Sequence, residues 1–311
     1  MLDHGFRSRA LSGAALVLVL GTAARGFAAG TPRIVNGLLT HDFPTTGALL
    51  VGFGGTPVDP NTETIVCSGT LIGCRTFLTA AHCVAGDADP THYAVYLQHA
   101  GVIPAASVAV NPAYSGLSGN DVAIVKLAAD VTGIAPTAIN ATHDLVSIGV
   151  GLPGLIAGFG QSSATGRDYG IKRAGAVVTA SCIPAATGGE GNDKLVCWDF
   201  ALPVGPPGQD SDTCNGDSGG PLFLDFGAGA EVAGVTSSGS SPLCRPLDHA
   251  WDASVYFNAA WIASQLAGDS TSACGPLAPV GAATTAVLGF DGALTAAHPS
   301  DLLAIDVPPG T

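Results

Sequence analysis

One serine of the sequence lies among glycines in a way that suits nucleophilic catalysis. Ser218 is the centre of the string Gly-Asp-Ser-Gly-Gly at 216–220. A serine hydroxyl is a weak nucleophile, so it needs a neighbouring base that accepts its proton. It also needs N–H donors for the oxyanion that develops, and in so glycine-rich a turn the candidates are the backbone amides of Gly216 and Ser218. A flexible surface turn has the same composition, so this string alone does not decide.

Two further strings contain the side chains that such a serine requires. His82 lies in Leu-Thr-Ala-Ala-His-Cys at 78–83, and Asp121 precedes the apolar run Val-Ala-Ile-Val at 122–125. A buried aspartate beside a histidine fixes the tautomer of the imidazole and stabilises the imidazolium. Taken alone, a histidine is usually structural and an aspartate often only begins a strand. Taken together with Ser218, they predict a general base and its orienting acid.

Short strands must position these residues, because apolar runs alternate with Gly, Pro, Asn and Asp over most of the chain. The predicted strands are 46–53, 65–72, 77–79, 93–97, 107–110 and 122–127 in a first set, and 155–159, 172–179, 195–198, 222–226, 231–236 and 253–256 in a second. Two sets of short strands without helices between them favour antiparallel barrels or a sandwich. One helix is predicted at 259–267, with Gly268 just past its end.

The composition excludes several classes of protein. Of the 311 residues, 47% are hydrophobic and only 11% are charged, which excludes a disordered chain. The net charge of −13 and the lack of a basic run argue against a nucleic-acid-binding protein. The cysteines form no Cys-x-x-Cys motif and no Cys/His cluster with zinc spacing, so we expect no metal and no other cofactor.

The first residues of the chain have the order of a signal peptide. Arg7 and Arg9 precede an apolar run at 10–24, and small residues follow at 26–29. The run is shorter than the about 20 residues that span a bilayer, which favours a signal peptide at 1–29 over a membrane anchor. We therefore expect a secreted protein, extracellular or periplasmic, without membrane attachment once the signal is removed. In such an oxidising compartment the even set of 8 cysteines is available for disulfides, with many pairings open.

The three chemical strings, in the order His82, Asp121, Ser218, resemble those of the trypsin/chymotrypsin family of serine proteases, in its secreted bacterial type. Two further strings are similar to the family. Arg-Ile-Val-Asn-Gly at 33–37 looks like the activation junction, and Ala-Gly-Phe-Gly at 157–160 looks like the turn after the first strand of the second barrel. Five such strings in the family's order make the resemblance specific.

The resemblance implies an all-β fold of two six-stranded antiparallel Greek-key barrels, followed by a short C-terminal helix. The triad would lie between the barrels, and the reaction would proceed through an acyl-enzyme on Ser218. The domain boundaries implied are an activation peptide at 30–33, a peptidase domain at 34–268 with barrels at about 34–147 and 148–268, and a Gly-, Pro- and Ala-rich tail at 269–311.

The resemblance also implies where substrate specificity arises. Asp212 occupies the position at the floor of the specificity pocket of trypsin-like members, where a carboxylate selects Arg or Lys before the scissile bond. We expect Thr213, Thr236 and Ser254 to line the same pocket. The family's Ser-Trp-Gly wall is replaced by Thr-Ser-Ser-Gly at 236–239, and Ser254 stands for a usual glycine. A preference for small apolar residues is therefore the competing hypothesis.

Activation and disulfide pairing follow from the same resemblance. Cleavage after Arg33 would free the amino group of Ile34, and its ammonium would pair with the buried Asp217 and order the Gly216 amide. The disulfides implied by the family's motifs are Cys67–Cys83, Cys182–Cys197 and Cys214–Cys244. Since two cysteines are left over, we also expect a bond between Cys74 and Cys274.

Two alternative functions stay open from the sequence. An α/β-hydrolase-type esterase also places its nucleophile, here Ser218, in Gly-x-Ser-x-Gly, but its acid and histidine follow the serine in the chain. Downstream candidates are Asp248, Asp252, His249 and His298. An inactive protease homologue would act as a binding domain, although all three triad residues and Gly216 are present. For the protease we expect polypeptide substrates and protein inhibitors as partners, no nucleic acid, and a monomer.

Overall fold

Antiparallel strands make up most of the chain that the structure, a computed structural model, describes. The described residues are 34–52, 56–59, 64–166, 168–272 and 274–275. The predicted signal peptide, the activation peptide with Arg33, and residues 276–311 of the predicted tail lie outside them. None of the helices in the described ranges is long and apolar enough to cross a membrane.

The first barrel is built from the N-terminal strands. Its elements are β2 (Thr46–Val51), β3 (Thr64–Gly73), β4 (Thr76–Thr79), β5 (Tyr93–Leu97), β6 (Gly101–Val110) and β7 (Ala123–Leu127). They close in the order β2-β3-β4-β7-β6-β5. Alternate residues point inward, as the period of a strand requires. The interior is filled by completely buried side chains such as Leu49, Leu71, Phe77, Val95 and Val125.

The second barrel follows the short helix α1 (Leu145–Ile148). Its strands are β8 (Pro153–Gly158), β9 (Arg173–Ala180), β10 (Leu195–Phe200), β11 (Pro221–Asp225), β12 (Ala230–Gly239) and β13 (Asp248–Ser254). The pairing of β8 with β9 closes the order β9-β10-β13-β12-β11-β8, and β1 (Leu38–Leu39) adds to the outer edge of β9. Helix α2 (Val255–Leu266) ends the domain. The predicted pair of six-stranded antiparallel barrels with a short C-terminal helix is confirmed.

An apolar cluster joins the two barrels. It contains Leu78 and Ile124 from the first barrel and Phe223 and Val235 from the second, together with Ile262 of α2. Burial of such side chains contributes about 1.5–3 kcal/mol each, so the cluster holds the facing ends of the barrels together. The residues of the site lie at this junction.

The C-terminal helix begins earlier than the sequence predicts. The predicted strand at 253–256 is wrong at both ends, because β13 runs from Asp248 to Ser254 and α2 starts at Val255. Val255, Tyr256 and Phe257 are residues that favour strands, which explains the prediction. The hydroxyl of Ser254 accepts a hydrogen bond from the Phe257 N–H at 3.3 Å and thereby caps the helix at this point.

Two further features of the fold bear on the sequence analysis. The structure joins the same four cysteine pairs that the resemblance and the leftover cysteines led us to expect: Cys67–Cys83, Cys74–Cys274, Cys182–Cys197 and Cys214–Cys244. All pairings between the described strands are antiparallel. The α/β-hydrolase alternative is therefore wrong, since its nucleophile turn requires a parallel sheet with helices.

Candidate active site

Two paired strands of the first barrel bring His82 and Asp121 together. Thr79 at the end of β4 pairs with Ala123 at the start of antiparallel β7. A short 3₁₀ turn at Ala81–Cys83 follows β4 and contains His82, while Asp121 lies just before β7. The two side chains thus leave the barrel at the same end of neighbouring strands.

The carboxylate of Asp121 is fully buried and fully hydrogen-bonded. His82 Nδ1 lies 2.7 Å from Asp121 Oδ2, and the His82 backbone N–H donates to Asp121 Oδ1 at 2.8 Å. The Ser237 hydroxyl donates to Oδ2 at 2.7 Å. Because the carboxylate only accepts, His82 carries its proton on Nδ1, and Nε2 is the basic nitrogen. The imidazole is 23% exposed, so it is accessible to a reacting group.

The backbone of Ser218, which belongs to the second barrel, lies against the segments that flank His82. The backbone N–H of Ser68 donates to the Ser218 carbonyl oxygen at 2.8 Å, and Cys83 Sγ lies 3.9 Å from the same oxygen. Cys83 directly follows His82 and is bonded to Cys67, whose neighbour Ser68 binds the Ser218 carbonyl. The disulfide therefore joins the segment of His82 to the strand that contacts Ser218. The sulfurs of Cys67 and Cys83 lie near His82, but they offer no thiolates to a metal because they are bonded to each other.

The turn around Ser218 requires glycine at two positions. Gly216 has φ +92° and Gly219 has φ +79°, both in the left-handed region. A Cβ on Gly219 would lie 2.2 Å from Thr79 Oγ1, so no side chain fits there. The Ser68 hydroxyl binds the Gly216 carbonyl oxygen at 2.9 Å. In the described part of the chain the N–H groups of Gly216 and Ser218 donate to no protein acceptor, which leaves both available to an oxyanion.

Asp217 is the buried anchor of this turn. Its carboxylate oxygens accept hydrogen bonds from the backbone N–H groups of Gly160 at 2.8 Å and Cys214 at 2.9 Å. Burial raises the pKa of Asp217 to about 7, while these two hydrogen bonds and the charge of the buried Arg173 oppose the shift. The side chain of Ile34 is also buried, in the apolar core of the second barrel.

Asp212 is a buried acid of a different kind. Its side chain is completely buried, and neither carboxylate oxygen has a hydrogen-bond partner of normal geometry among the described residues, although the Thr213 N–H and Trp198 lie close enough to favour its ionised form. Burial and the nearby negative charge of Asp248 raise its pKa well above the ordinary value. Its backbone N–H donates to the Val35 carbonyl at 3.0 Å, so the segment after Ile34 is paired with the backbone at Asp212.

The comparison with known proteins agrees with this geometry. The family described as Trypsin matches residues 40–262. The chain belongs to the trypsin family. It is 32% identical to "Trypsin, alkaline C" of Manduca sexta over 72% of this chain and 88% of that protein. It is 29% identical to "Vitamin K-dependent protein C" of Mus musculus over 67% of this chain and 46% of that protein.

A bacterial relative is also similar: the "Trypsin-like protease" of Streptomyces glaucescens is 30% identical over 56% of this chain and 65% of that protein. Family membership makes the chain a serine-type endopeptidase, and its substrates are polypeptides. The fold, the family and the residues at the barrel junction therefore agree on one enzyme class.

The register of β12 and β13 bears on the residues expected to determine specificity. Thr236 pairs with Asp252, and Gly239 pairs with Ala250, across β12 and β13. Ala250 therefore stands beside the Ser-Ser-Gly wall, whereas Ser254 caps helix α2. Thr213 follows Asp212 directly and is half-buried, and Thr236 is buried. That Thr213, Thr236 and Ser254 line a specificity pocket stays a prediction, and the Ser254 hydroxyl also accepts the capping hydrogen bond of α2.

Two residues of the site are absent from the sequence-based predictions. Ser237 donates to the Asp121 carboxylate. It lies in the Thr-Ser-Ser-Gly string at 236–239, which replaces the family's Ser-Trp-Gly, and that string is the signal that could have found it. Ala250 had no such signal. Ala250 pairs with Gly239 only because the register between β12 and β13 shifts at an irregularity between Thr236 and Ser238, and the sequence alone does not reveal such a shift.

Proposed function

We propose that the chain is a secreted endopeptidase that cleaves after Arg or Lys, with Ser218 as nucleophile, His82 as general base and Asp121 as the orienting acid. The observation that supports this best is the buried Asp121 carboxylate, held by His82 and Ser237, beside a turn whose two N–H groups are open to an oxyanion. Once activation has fixed them, groups of this kind lower the barrier because they need no rearrangement during the reaction.

The proposed reaction has two halves. In the first, Ser218 Oγ attacks the scissile carbonyl carbon while His82 Nε2 accepts the hydroxyl proton. The N–H groups of Gly216 and Ser218 bind the oxyanion, and His82 then gives its proton to the leaving amine as the C–N bond breaks. In the second half, water gives a proton to His82 and attacks the acyl-enzyme, and the proton returns to Ser218 as the ester bond breaks.

The unpartnered Asp212 carboxylate supports a preference for a basic side chain. An isolated buried carboxylate is costly, and a guanidinium or ammonium in the pocket would give it the partner that it lacks. The fork of an arginine side chain suits both oxygens. The competing hypothesis is a small apolar preference, which the side chains of Ala250 and Thr236 would favour. A cleavage-site profile on a peptide library tests this: cuts after Arg and Lys support the proposal, and cuts after Ala or Val refute it.

Activation is proposed to follow cleavage after Arg33. The freed Ile34 ammonium would pair with Asp217, whose pKa of about 7 in the uncut chain means that its carboxylate is only half ionised at neutral pH. The pair would fix the Gly216 amide toward the oxyanion. An Arg33→Gln variant should accumulate uncut and show little activity, and an uncut variant with full activity would contradict this activation scheme.

Secretion is proposed on the signal-like order of residues 1–29. Expression with this segment should give an exported protein whose N-terminus, determined by sequencing, lies near residue 30 before activation. A protein that stays inside the cell with residues 1–29 attached would contradict it. The partners proposed are polypeptide substrates and protein inhibitors, and we expect a monomer.

The inactive-homologue alternative is tested through the triad itself. His82→Ala and Ser218→Ala should each remove nearly all peptidase activity from an activated preparation, with about 10³-fold or greater losses. Ser147→Ala, at an exposed serine of α1 whose hydroxyl donates to Asp144, is a matched control that should keep the catalytic rate. An activated wild-type protein without peptidase activity would instead favour a binding domain.

A further inference from the structure

Gly119, two positions before Asp121, is held by the second barrel at both of its backbone polar groups. Its carbonyl oxygen accepts a hydrogen bond from Asn258 Nδ2 at 2.6 Å. Its N–H donates to Glu190 Oε2 at 2.6 Å. Asn258 belongs to helix α2, and Glu190 lies between β9 and β10. The segment that leads into Asp121 is thus gripped by side chains from the other half of the molecule.

Asn258 uses its whole amide in this contact. It is buried, and its Nδ2 also donates to the Ser254 carbonyl at 2.8 Å. Its Oδ1 accepts from Asn111 Nδ2 at 2.9 Å, and the Asn111 N–H donates to the Val122 carbonyl at 3.1 Å. The network therefore reaches the chain on both sides of Asp121. A buried amide with every partner in place fixes one geometry, because any shift leaves polar groups unpaired.

Glu190 binds the N–H of Gly119, and its own side chain is held by Lys194. Its Oε1 lies 3.2 Å from Lys194 Nζ, and the Lys194 carbonyl accepts from the Ser254 N–H at 2.9 Å. A Cβ on Gly119 would lie 2.5 Å from the Lys194 Cβ, so only glycine allows the two segments to approach this closely. Charge-assisted hydrogen bonds such as that from Gly119 to Glu190 are stronger than neutral ones.

We propose that Asn258 and Glu190 are positioning residues for the catalytic triad, a role that rests on the proposed function of Asp121. Asp121 belongs to the first barrel, but it binds His82 of the first barrel and Ser237 of the second at the same carboxylate oxygen. A small slip of one barrel past the other would break one of these two contacts. The grip on Gly119 prevents that slip within two residues of the carboxylate.

The main test compares kcat, KM and the pH profile of activated Asn258→Ala with the wild type on one peptide substrate. A misplacement on the order of 1 Å lowers catalysis by up to about 10²-fold, so we expect kcat to fall by about 10- to 100-fold with KM unchanged. The acid side of the kcat/KM profile should move to lower pH, because a displaced Asp121 stabilises the imidazolium less. Glu190→Ala should change kcat and the profile in the same direction.

Glu190→Gln is the conservative variant that should restore most of the rate, because a glutamine carbonyl oxygen can still accept from the Gly119 N–H. Asn140→Ala is the matched control for loss of a buried amide. Asn140 is 1% exposed, and its side chain binds both the carbonyl and the N–H of His143, away from Asp121. This control should lower the melting temperature and leave kcat within about twofold of the wild type.

The outcomes separate the positioning role from the triad assignment. If Asn258→Ala and Glu190→Ala keep kcat and the pH profile of the Asn140→Ala control, while Asp121→Asn is inactive, the positioning role is wrong and the triad stands. If Asp121→Asn itself keeps full activity, the proposed triad is wrong. If Asn258→Ala does not fold, the comparison of Glu190→Ala with Glu190→Gln decides, and equal kcat values for those two overturn the positioning role.

Discussion

Two completely buried aspartates, Asp121 at the edge of the first barrel and Asp212 in the second, differ in their surroundings. Asp121 accepts three hydrogen bonds, from His82 at two atoms and from Ser237. Asp212 accepts none of normal geometry from the described residues, and burial together with the charge of Asp248 raises its pKa against the weaker opposing effects of the Thr213 N–H and Trp198. A buried carboxylate without partners is costly to ionise, whereas a fully bonded one is not.

The difference indicates two kinds of work. Asp121 is complete before any substrate arrives, as expected of a group that orients a catalytic base. Under the proposed function, a substrate with a positive charge would give Asp212 the partner that a group selecting substrates requires. Asp217 is intermediate in the number of hydrogen bonds that its carboxylate accepts: it accepts two, both from backbone N–H groups, and its pKa is about 7. The predictions below separate these roles, in order of expected free-energy effect.

The largest effect is expected for Asp121→Asn. An asparagine amide cannot hold His82 in the same tautomer, and the same substitution in triad proteases lowers kcat about 10⁴-fold. Steady-state kinetics on an activated preparation measure this, with the melting temperature as the control for folding. A loss smaller than about tenfold would show that Asp121 does not orient the base.

The next effect is expected for Asp212→Asn, which keeps the shape of the side chain and removes its charge. Loss of one partner of a buried charge pair costs about 2–5 kcal/mol, so kcat/KM for an arginine substrate should fall by about 10²–10³-fold. Because the acid has no partner in the free enzyme, the variant should unfold no more easily than the wild type. If the ratio of cleavage after arginine to cleavage after alanine is unchanged in the variant, Asp212 does not determine the substrate preference.

A smaller effect concerns the pH dependence of stability through Asp217. Its pKa is raised from 3.8 to about 7 in the uncut fold. A raised pKa means that its contribution to stability is fully present below about pH 4, is lost as the pH rises from about 4 through about 7, and changes no further above that. Relative to Asp217→Asn, the uncut wild type should lose about 2–3 kcal/mol of unfolding free energy between pH 5 and pH 8.

Urea unfolding of both uncut proteins at the two pH values measures this difference. The comparison cancels the other buried acids, since both proteins contain them. Parallel stability curves for the wild type and the variant would mean that Asp217 is ionised throughout this range.

The smallest effect is expected for Ser237→Ala. This change removes one of the three hydrogen bonds to the Asp121 carboxylate and leaves both contacts of His82 in place. A hydrogen bond to a charged group contributes about 1.5–3 kcal/mol, and only part of this is lost in the transition state, so kcat should fall by about tenfold. A loss as large as that of Asp121→Asn would mean that Ser237 has a larger role than support of the acid.

The sequence predicts the strands and the chemical strings well, because both depend on local patterns. The predicted strand 93–97 coincides with β5, and the first barrel differs mainly in β6, which starts at Gly101 rather than at residue 107. The triad strings were found because each residue is surrounded by characteristic neighbours in the chain. The glycines at 216 and 219 follow the same rule, since their positive φ values are local properties.

Other features could not be predicted because they depend on contacts between distant segments. The start of α2 is set by the Ser254 cap, which overrides the strand preference of Val255 and Tyr256. The hydrogen bond between Asn258 and Gly119 joins residues 139 positions apart. The position of Ala250 beside Gly239 depends on strand register. No local pattern marks such pairs, because they exist only once both barrels have formed.

The central claim is that Ser218 is a nucleophile activated by His82. Activated protein should be treated with a fluorophosphonate, and the modified residue should be located by mass spectrometry of its peptides. We expect one adduct, on Ser218, that is absent from Ser218→Ala and reduced by about 10³-fold in rate in His82→Ala. An active preparation that carries no adduct on Ser218, or that is labelled equally fast without His82, would contradict the claim.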